Sequence, residues 1–490
     1  MQSAQLRAIW RRSSFFIAAN LFFMLSSACA QTNVTDKIRQ VENGLLPAVV
    51  VEGEQTEGLS ITERMKHHKV PGLSIAVIKD GKIEWAKGYG AASQESAKPV
   101  DENTMFQAAS ISKPVAALAA LHWVEKGKLS LDNNINAYLK DWQVPDNKFT
   151  GTEKVTLRRL VTHTAGLTVH GFRGYAKGEE VPTVIQLLNG EKPANSKTIF
   201  PDTLPGKIWR YSGGGYTVMQ KALSDQVGKP FPVIMQETVL AKLGMIHSSY
   251  EQPLAEKFTA FAATGYRSNG KAVKGEWHTY PEMAAAGLWT TPSDLARYII
   301  EVQESLQGKS NKVISKSMAE QMLTKHLDRW GLGPGLDKSG DALVFNHGGA
   351  NEGFRCVFMA QAYGGNGVVI MTNSDNGSAV ASELLRGISK IYGWDFGKPT
   401  QVKKFDLTAE QAGKLPGKYR MQNYTFELTQ TNGKLYAKPQ WEDGIIEIIP
   451  ENTTKFLTRD GQFWLEFQYE GDSKVKAVKL NGREVFEKIE

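Results

Sequence analysis

Ser110 and Lys113 stand three residues apart in "FQAASISKPVAALAAL", residues 106–121. On a helix that spacing puts both side chains on one face. A serine hydroxyl is a weak nucleophile until a base takes its proton, and a lysine does so only where desolvation or a neighbouring cation lowers its pKa. The apolar run after Lys113 supplies a dry neighbourhood, and a helix N-terminus beside the oxygen favours developing negative charge. Pro114 is compatible with a first turn, where its missing N–H is no loss. On this stretch alone, an N-cap serine followed by a solvated lysine reads equally well. The same spacing recurs at Ser268 with Lys271 and at Ser473 with Lys476, but "YRSNGKAV" and "EGDSKVKAV" are turns between strand-like runs, with both side chains in water.

Two further stretches carry candidate chemistry. "WRYSGGGYTVMQKAL" places Tyr211 immediately before glycines and a helix, so its phenol can project from a loop. "FNHGGANEGF" places His347, Gly348 and Gly349 at the end of a strand-like run, where small residues admit a ligand to the backbone. Other motifs lead elsewhere. Ser74, in "GLSIA", lies inside a strand and lacks the closing glycine of a nucleophile elbow. "SGGGY" lacks the lysine and threonine of a phosphate loop. The adjacent His67 and His68 diverge, and there is neither an H-E-x-x-H nor a cysteine cluster, so no metal and no cofactor are expected. His163, in "THTAGL", is expected at a helix C-terminus with its ring against the last carbonyls. Trp209 and Tyr216 are candidates to line a cleft, and Trp289 is expected in the core.

Length and composition bound the setting. A chain of 490 residues, 41% hydrophobic and 22% charged, exceeds one ordinary core and predicts a large domain with an appended module. Residues 1–30 read as an export signal: Arg7, Arg11 and Arg12, then the apolar "FFIAANLFFML", then the small residues Ala28-Cys29-Ala30. The apolar run is shorter than the roughly 18 residues a spanning helix needs. Periplasmic or secreted location follows, with a lipoprotein through Cys29 as the variant reading, and no transmembrane span once the signal is removed. The segment holds three arginines and no acid, so its removal lowers the formal charge from +7 to +4, too little to argue for nucleic acid. It also leaves Cys356 alone, which excludes an intramolecular disulfide.

These groups need elements to hold them. "GLSIAVIKDGKIEWAKGYG" (residues 72–90) alternates around Asp80-Gly81 and predicts a hairpin, and residues 353–375 form a second strand-rich region. Between them "KPVAALAALHWVEKG", "TLRRLVTH", "TVMQKALSDQVG", "FPVIMQETVLAKLG" and "SDLARYIIEVQESLQG" have helical periodicity or helix-ending glycines. The expected fold class is α/β (α+β): one antiparallel sheet closed by strands from both ends of the domain, flanked by helices, plus a helical lobe. From about residue 410, short alternating runs punctuated by Asn432-Gly433, Asp460-Gly461, Gly471-Asp472 and Asn481-Gly482 predict a small all-β meander or barrel. The expected division is a signal over 1–30, a large α/β domain over 31–397 and a barrel-like domain over 405–490.

Ser110-x-x-Lys113, Tyr211 and His347-x-Gly349, in that order, resemble the serine β-lactamase and penicillin-binding-protein superfamily. The class C β-lactamase-related branch, peptidase family S12 with its esterases, D-aminopeptidases and D,D- and D,L-carboxypeptidases, is the most similar. The resemblance covers roughly residues 45–395 and includes "VPGLSIAVIKDGKI", "LVTHTAGL", "PGKIWRYSGGGY" and "GLWTTPSDLARY". It implies a β-lactamase/transpeptidase-like fold, with Ser110 as the acylated nucleophile and Lys113 and Tyr211 sharing its proton traffic. Which of the two is the base stays open. The resemblance also implies that His347, Gly349, Ala350 and Gly213 bind substrate. Within that set the N–H groups of Ser110 and Ala350 make the oxyanion hole, where each donor is worth a few kcal/mol. The C-terminal module resembles, more weakly, the lipocalin-like barrels attached to some members of the family.

Two positions depart from the β-lactamase pattern. Gly213 stands where Y-x-N has asparagine, and His347 stands where the third motif has lysine, a stronger carboxylate clamp. Both favour an esterase or a D-amino-acid-specific peptidase acting on a small-molecule or short-peptide substrate. The alternatives are a class C-type β-lactamase and a penicillin-binding or sensor protein that is acylated without turnover. Oligomeric state is open.

Overall fold

A computed structural model describes residues 33–55, 58–441, 444–471 and 474–490. The export signal over 1–30, Cys29 and Ser473 lie outside the described residues. The described residues divide into two compact units: one contains Ile61–Ala381 with residues 33–40, the other Val41–Ser60 with Ser382–Glu490. The stretch Val41–Ser60 thus belongs with the C-terminal part. There, Val49–Val51 pairs in parallel with Thr400–Val402.

The first unit is built on a seven-stranded antiparallel sheet. Its strands lie in the order Lys98–Pro99, Lys82–Ser93, Gly72–Lys79, Gly367–Thr372, Phe354–Gln361, Ala342–Asn351 and Gly335–Ser339. Strands from the two ends of the domain meet where Gly72–Lys79 pairs with Gly367–Thr372. The first hairpin turns on Asp80 and Gly81, with φ of 51° and 75°. Positive φ at both central residues matches the right-handed twist of the flanking strands, which is what Asp-Gly provides. Ser74 is buried in its strand, and Ser268 is exposed in a turn closed by Arg267 and Lys271, so neither is placed for nucleophilic chemistry.

The helix Ser112–Glu125 is buried along its whole first half, with Val115 to Leu121 fully inaccessible. A helix apolar on every side belongs inside a core, and its run of alanines lets neighbours approach closely. Around it lie Gly213–Val227 and the short turn Met283–Ala286, which share one large hydrophobic core. Trp289 is part of that core, fully buried between Trp277 and Phe354.

The C-terminal strands, from Gly417–Met421 to Glu484–Lys488, close into an eight-stranded antiparallel barrel. Two of its turns carry the Asn-Gly pairs read from the sequence, Asn432-Gly433 and Asn481-Gly482, again with positive φ at both residues. The barrel interior is filled by Tyr419, Phe426, Phe456, Phe467, Val478 and Phe486. A cavity bordered by Phe426, Trp441 and Phe463 measures only about 10 Å³. The barrel is therefore lipocalin-like in strand arrangement, with apolar side chains packed through its interior.

Candidate active site

Ser110 lies in a 3₁₀ turn, Ala109–Ile111, that runs into the α-helix beginning at Ser112. The expectation that Ser110 opens the helix is refined accordingly: it occupies a separate, tighter turn. Ala109 has a φ of 50°, a left-handed conformation that costs a residue with a Cβ roughly 1–2 kcal/mol and is held by the surrounding contacts. Ser112 supplies several of those contacts. Its hydroxyl donates to Ala109 O at 2.5 Å and accepts from Leu288 N–H at 2.9 Å, while Tyr250 donates to its carbonyl at 2.7 Å. The buried Ser112, between Ser110 and Lys113, thus locks the turn.

Lys113 Nζ is 3.1 Å from Ser110 Oγ and 2.8 Å from Ala285 O. Among the described residues no carboxylate hydrogen-bonds to it, and burial lowers its pKa from 10.5 to about 7. A neutral amine fits both contacts: one N–H donates to Ala285 O, and the lone pair faces the Ser110 hydroxyl. Tyr211 lies beside this pair, with its ring centroid 4.9 Å from Lys113 Nζ. Burial pushes the Tyr211 phenol far above its ordinary value, so the group holds its proton at neutral pH. Ser110, Lys113 and Tyr211, predicted from separate stretches, are brought together.

His347 and Gly349 lie on the strand Ala342–Asn351, whose partner toward the outer edge ends its pairing at Asn346. Antiparallel alternation then leaves the N–H groups of Gly348 and Ala350 pointing to the open edge, away from the Phe354–Gln361 strand. A Cβ at Gly349 would lie 2.2 Å from Ala108 O, so only glycine lets this strand lie against the Ser110 turn. His347 is buried. Its Nδ1 is 2.6 Å from Gly348 O, an acceptor, so the proton sits on Nδ1 and Nε2 keeps a lone pair with no partner. Burial, then the Lys113 charge, lowers its pKa to about 3, which keeps the imidazole neutral.

Gly213 serves the scaffold. Its N–H donates to His170 O at 2.9 Å, and an added Cβ would meet Phe172 at 2.9 Å. Beside it, Ser212 caps the helix by accepting from Gly215 N–H and donates its own hydroxyl to Thr168 O. The glycine run thus packs a helix start against residues 168–172 and fixes the loop that carries Tyr211.

Other residues of the site had no clear signal in the sequence. Trp330 sits edge-on to His163 (5.1 Å), His347 (5.5 Å) and Tyr211 (5.9 Å), and Trp209 is 5.5 Å from it. Its loop crosses the nucleophile helix at Gly333, where a Cβ would meet Ala117 at 2.9 Å. Ala285 acts through its carbonyl, to which residue type gives no clue. Glu282, at the head of the same turn, is fully buried with both carboxyl oxygens unpartnered, and burial raises its pKa to about 8. Tyr216 is a core residue whose hydroxyl donates to Val161 O. His163 follows the helix Leu157–Val161 but turns away from its last carbonyls: its Nδ1 accepts from Ser212 N–H.

Residues 60–391 match the family model described as Beta-lactamase, and the chain belongs to that family. It is 31% identical over 235 residues to a beta-lactamase of Pseudomonas fluorescens, covering 48% of this chain and 60% of the relative. It is 26% identical over 295 residues to one of Providencia stuartii, covering 60% and 66%. Over 318 residues it is 22% identical to the protein flp of Staphylococcus aureus, covering 62% and 60%. The chain thus spans less than two thirds of the length of these relatives. Among solved structures, the octameric penicillin-binding protein homologue from Pyrococcus abyssi aligns with a TM-score of 0.61 at 22% identity, covering 87% of this chain and 98% of that one. SurE, in a structure with D-Leu, aligns at 0.54 and 20% identity, covering 88% and 97%. These likenesses establish a β-lactamase/transpeptidase-like fold with a C-terminal barrel.

Proposed function

We propose that this protein is an exported serine hydrolase that works through an acyl-enzyme on an ester or amide bond, in the manner of the esterases and D-amino-acid peptidases of family S12. The observation that carries the reading is the buried Lys113 amine, 3.1 Å from Ser110 Oγ and substantially neutral near pH 7. Lys113 takes the hydroxyl proton as Ser110 Oγ attacks the substrate carbonyl. The N–H groups of Ser110 and Ala350 receive the oxyanion. Tyr211, protonated because burial disfavours its phenolate, donates to the leaving group and recovers its proton from Lys113. Water then attacks the acyl-enzyme by the reverse sequence.

Substrate preference follows from what the cleft lacks. His347 is neutral, so its position offers no charged anchor for a β-lactam carboxylate. The D-Leu in the SurE structure supports testing D-amino-acid substrates. A second reading, β-lactam hydrolysis, is favoured by the names of two relatives.

A fluorescent fluorophosphonate, applied to the mature protein and to Ser110→Ala and Lys113→Ala variants, tests the nucleophile. Labelling is expected at Ser110 only, absent in the first variant and much slower in the second. Labelling elsewhere, or none, overturns the reading. Turnover of p-nitrophenyl esters and D-amino-acid amides, with a chromogenic cephalosporin in parallel, then separates esterase or peptidase from β-lactamase. A burst without turnover identifies an acylated sensor.

A further inference from the structure

We propose that His163 is a positioning residue for Tyr211, holding the phenol in the orientation that serves the leaving group. This rests on the reading of Tyr211 as proton donor given above. His163 binds the tyrosine from three sides. Its carbonyl accepts from Arg210 N–H at 2.8 Å, its Nδ1 accepts from Ser212 N–H at 3.1 Å, and its ring stacks on the Tyr211 ring at 4.1 Å with 29° between planes. The Trp209–Arg210 and Tyr211–Ser212 peptide groups, one on each side of the tyrosine, and the ring itself are therefore set by one residue. The left-handed φ of 60° at His163 turns its carbonyl and ring toward the same segment.

The chemistry of that grip is specific to a neutral imidazole. A backbone N–H at Nδ1 requires a lone pair there, which assigns the ring proton to Nε2. Nε2 is buried without a hydrogen-bond partner, with Trp330 and Trp209 as its aromatic neighbours. The titratable groups around the ring are Lys113, His347, His170, Tyr211 and Tyr216. Burial disfavours a positive charge on the ring, and the first three groups disfavour it further. Protonation would set N–H against N–H and release the Ser212 contact. A histidine that only filled space would need neither this tautomer nor contacts on both sides of one tyrosine.

The test compares His163→Phe, which keeps a stacking ring but loses the acceptor, His163→Asn, which restores an acceptor without the stack, and Tyr211→Phe. Each is assayed on one acyl group presented as a methyl ester and as a p-nitrophenyl ester, whose leaving group needs no proton. Loss of general-acid help by Tyr211→Phe should cost roughly 10²–10⁴-fold on the methyl ester and far less on the p-nitrophenyl ester. A misaligned phenol in His163→Phe should cost on the order of 10²-fold with the same leaving-group dependence. His163→Asn should recover part of that loss, and the double variant should be no slower than Tyr211→Phe alone. Equal losses on both esters, or losses that multiply in the double variant, would overturn the inference. Absence of leaving-group dependence in Tyr211→Phe would instead remove the reading of Tyr211 beneath it. Independently of turnover, nitrogen NMR of ¹⁵N-histidine-labelled protein should give His163 a pyridine-type Nδ1, and a protonated Nδ1 at neutral pH would overturn the proposal.

Discussion

Each unit of this protein contains a cluster of aromatic rings, and the two clusters treat their polar atoms in opposite ways. In the barrel, Tyr419 stacks on Phe426 at 5.1 Å, Phe426 meets Phe486, and Phe456 meets Phe467. Tyr419 satisfies its hydroxyl on Leu415 O at 2.7 Å, and among the described residues no barrel strand holds a buried side-chain polar atom without a partner. Around Ser110, by contrast, His163 Nε2, Trp209 Nε1, His347 Nε2 and both oxygens of Glu282 are buried and unpaired. Unpaired buried groups each cost about 1–3 kcal/mol, so a unit built only to be stable would not keep so many in one place. The barrel satisfies its buried polar atoms from within the chain, whereas the site leaves several of them without a partner from the protein.

The largest effect should come from breaking the site at its centre. Ser110→Ala should lower kcat by about 10⁴-fold or more, since removal of a nucleophile leaves only binding and oxyanion stabilisation. Lys113→Met should also abolish efficient turnover, and it tests the comparison further because it should stabilise the fold. Lys113 releases its proton at about 7 in the folded protein and near 10.5 when unfolded. Between those values the unfolded chain binds more protons, so wild-type stability rises with pH there, and below about pH 7 the full burial cost of roughly 4–5 kcal/mol applies. The Tm advantage of Lys113→Met should be greatest below pH 7 and shrink toward pH 10, as read by calorimetry. Wild-type acylation should rise with pH through a midpoint near 7. A variant less stable than wild type at pH 6 would show that Lys113 is a structural contact.

Gly349→Ala should have an intermediate effect. The new Cβ would meet Ala108 O at 2.2 Å, and both atoms are tied to backbone, so strand and nucleophile turn must separate. A displacement near 1 Å should cost on the order of 10²-fold in kcat/KM, with a smaller change in Tm. Unchanged kinetics would mean that Ala350 N–H does not need this close approach.

How legible these features were depended on what each residue contributes. Ser110, Lys113, Tyr211 and His347 carry side chains whose types and local settings mark them as candidates, and the hairpin at Asp80-Gly81 and the Asn-Gly turns of the barrel follow from φ requirements that few residues meet. Ala285 acts through a backbone carbonyl, and Trp330 arrives on a loop whose path depends on Gly333 crossing a distant helix. Neither leaves a local pattern. Gly213 carried a signal that pointed to substrate, but its position is explained by the close packing of a helix start on Phe172. His163 was visible as a residue, yet its partner, Ser212 N–H, lies 49 positions away in sequence. The attachment of Val41–Ser60 to the C-terminal unit is equally non-local, set by a parallel pairing of Val49–Val51 with Thr400–Val402.

The smallest expected effect lies in the barrel. Tyr419→Phe removes one hydroxyl that donates to Leu415 O but keeps the ring stacked on Phe426. The loss should be about 1 kcal/mol, the net worth of a buried neutral hydrogen bond plus an acceptor left unpaired. Hydrogen exchange at the barrel amides should read this as a roughly fivefold faster global opening, while labelling of Ser110 keeps its wild-type rate. The same single-hydroxyl deletion at Tyr211 should do the reverse, slowing turnover with little change in exchange. If Tyr419→Phe slowed Ser110 labelling under conditions where both units stay folded, the division between a satisfied core and a site with unpaired groups would fail, because a barrel hydrogen bond would then be setting the chemistry.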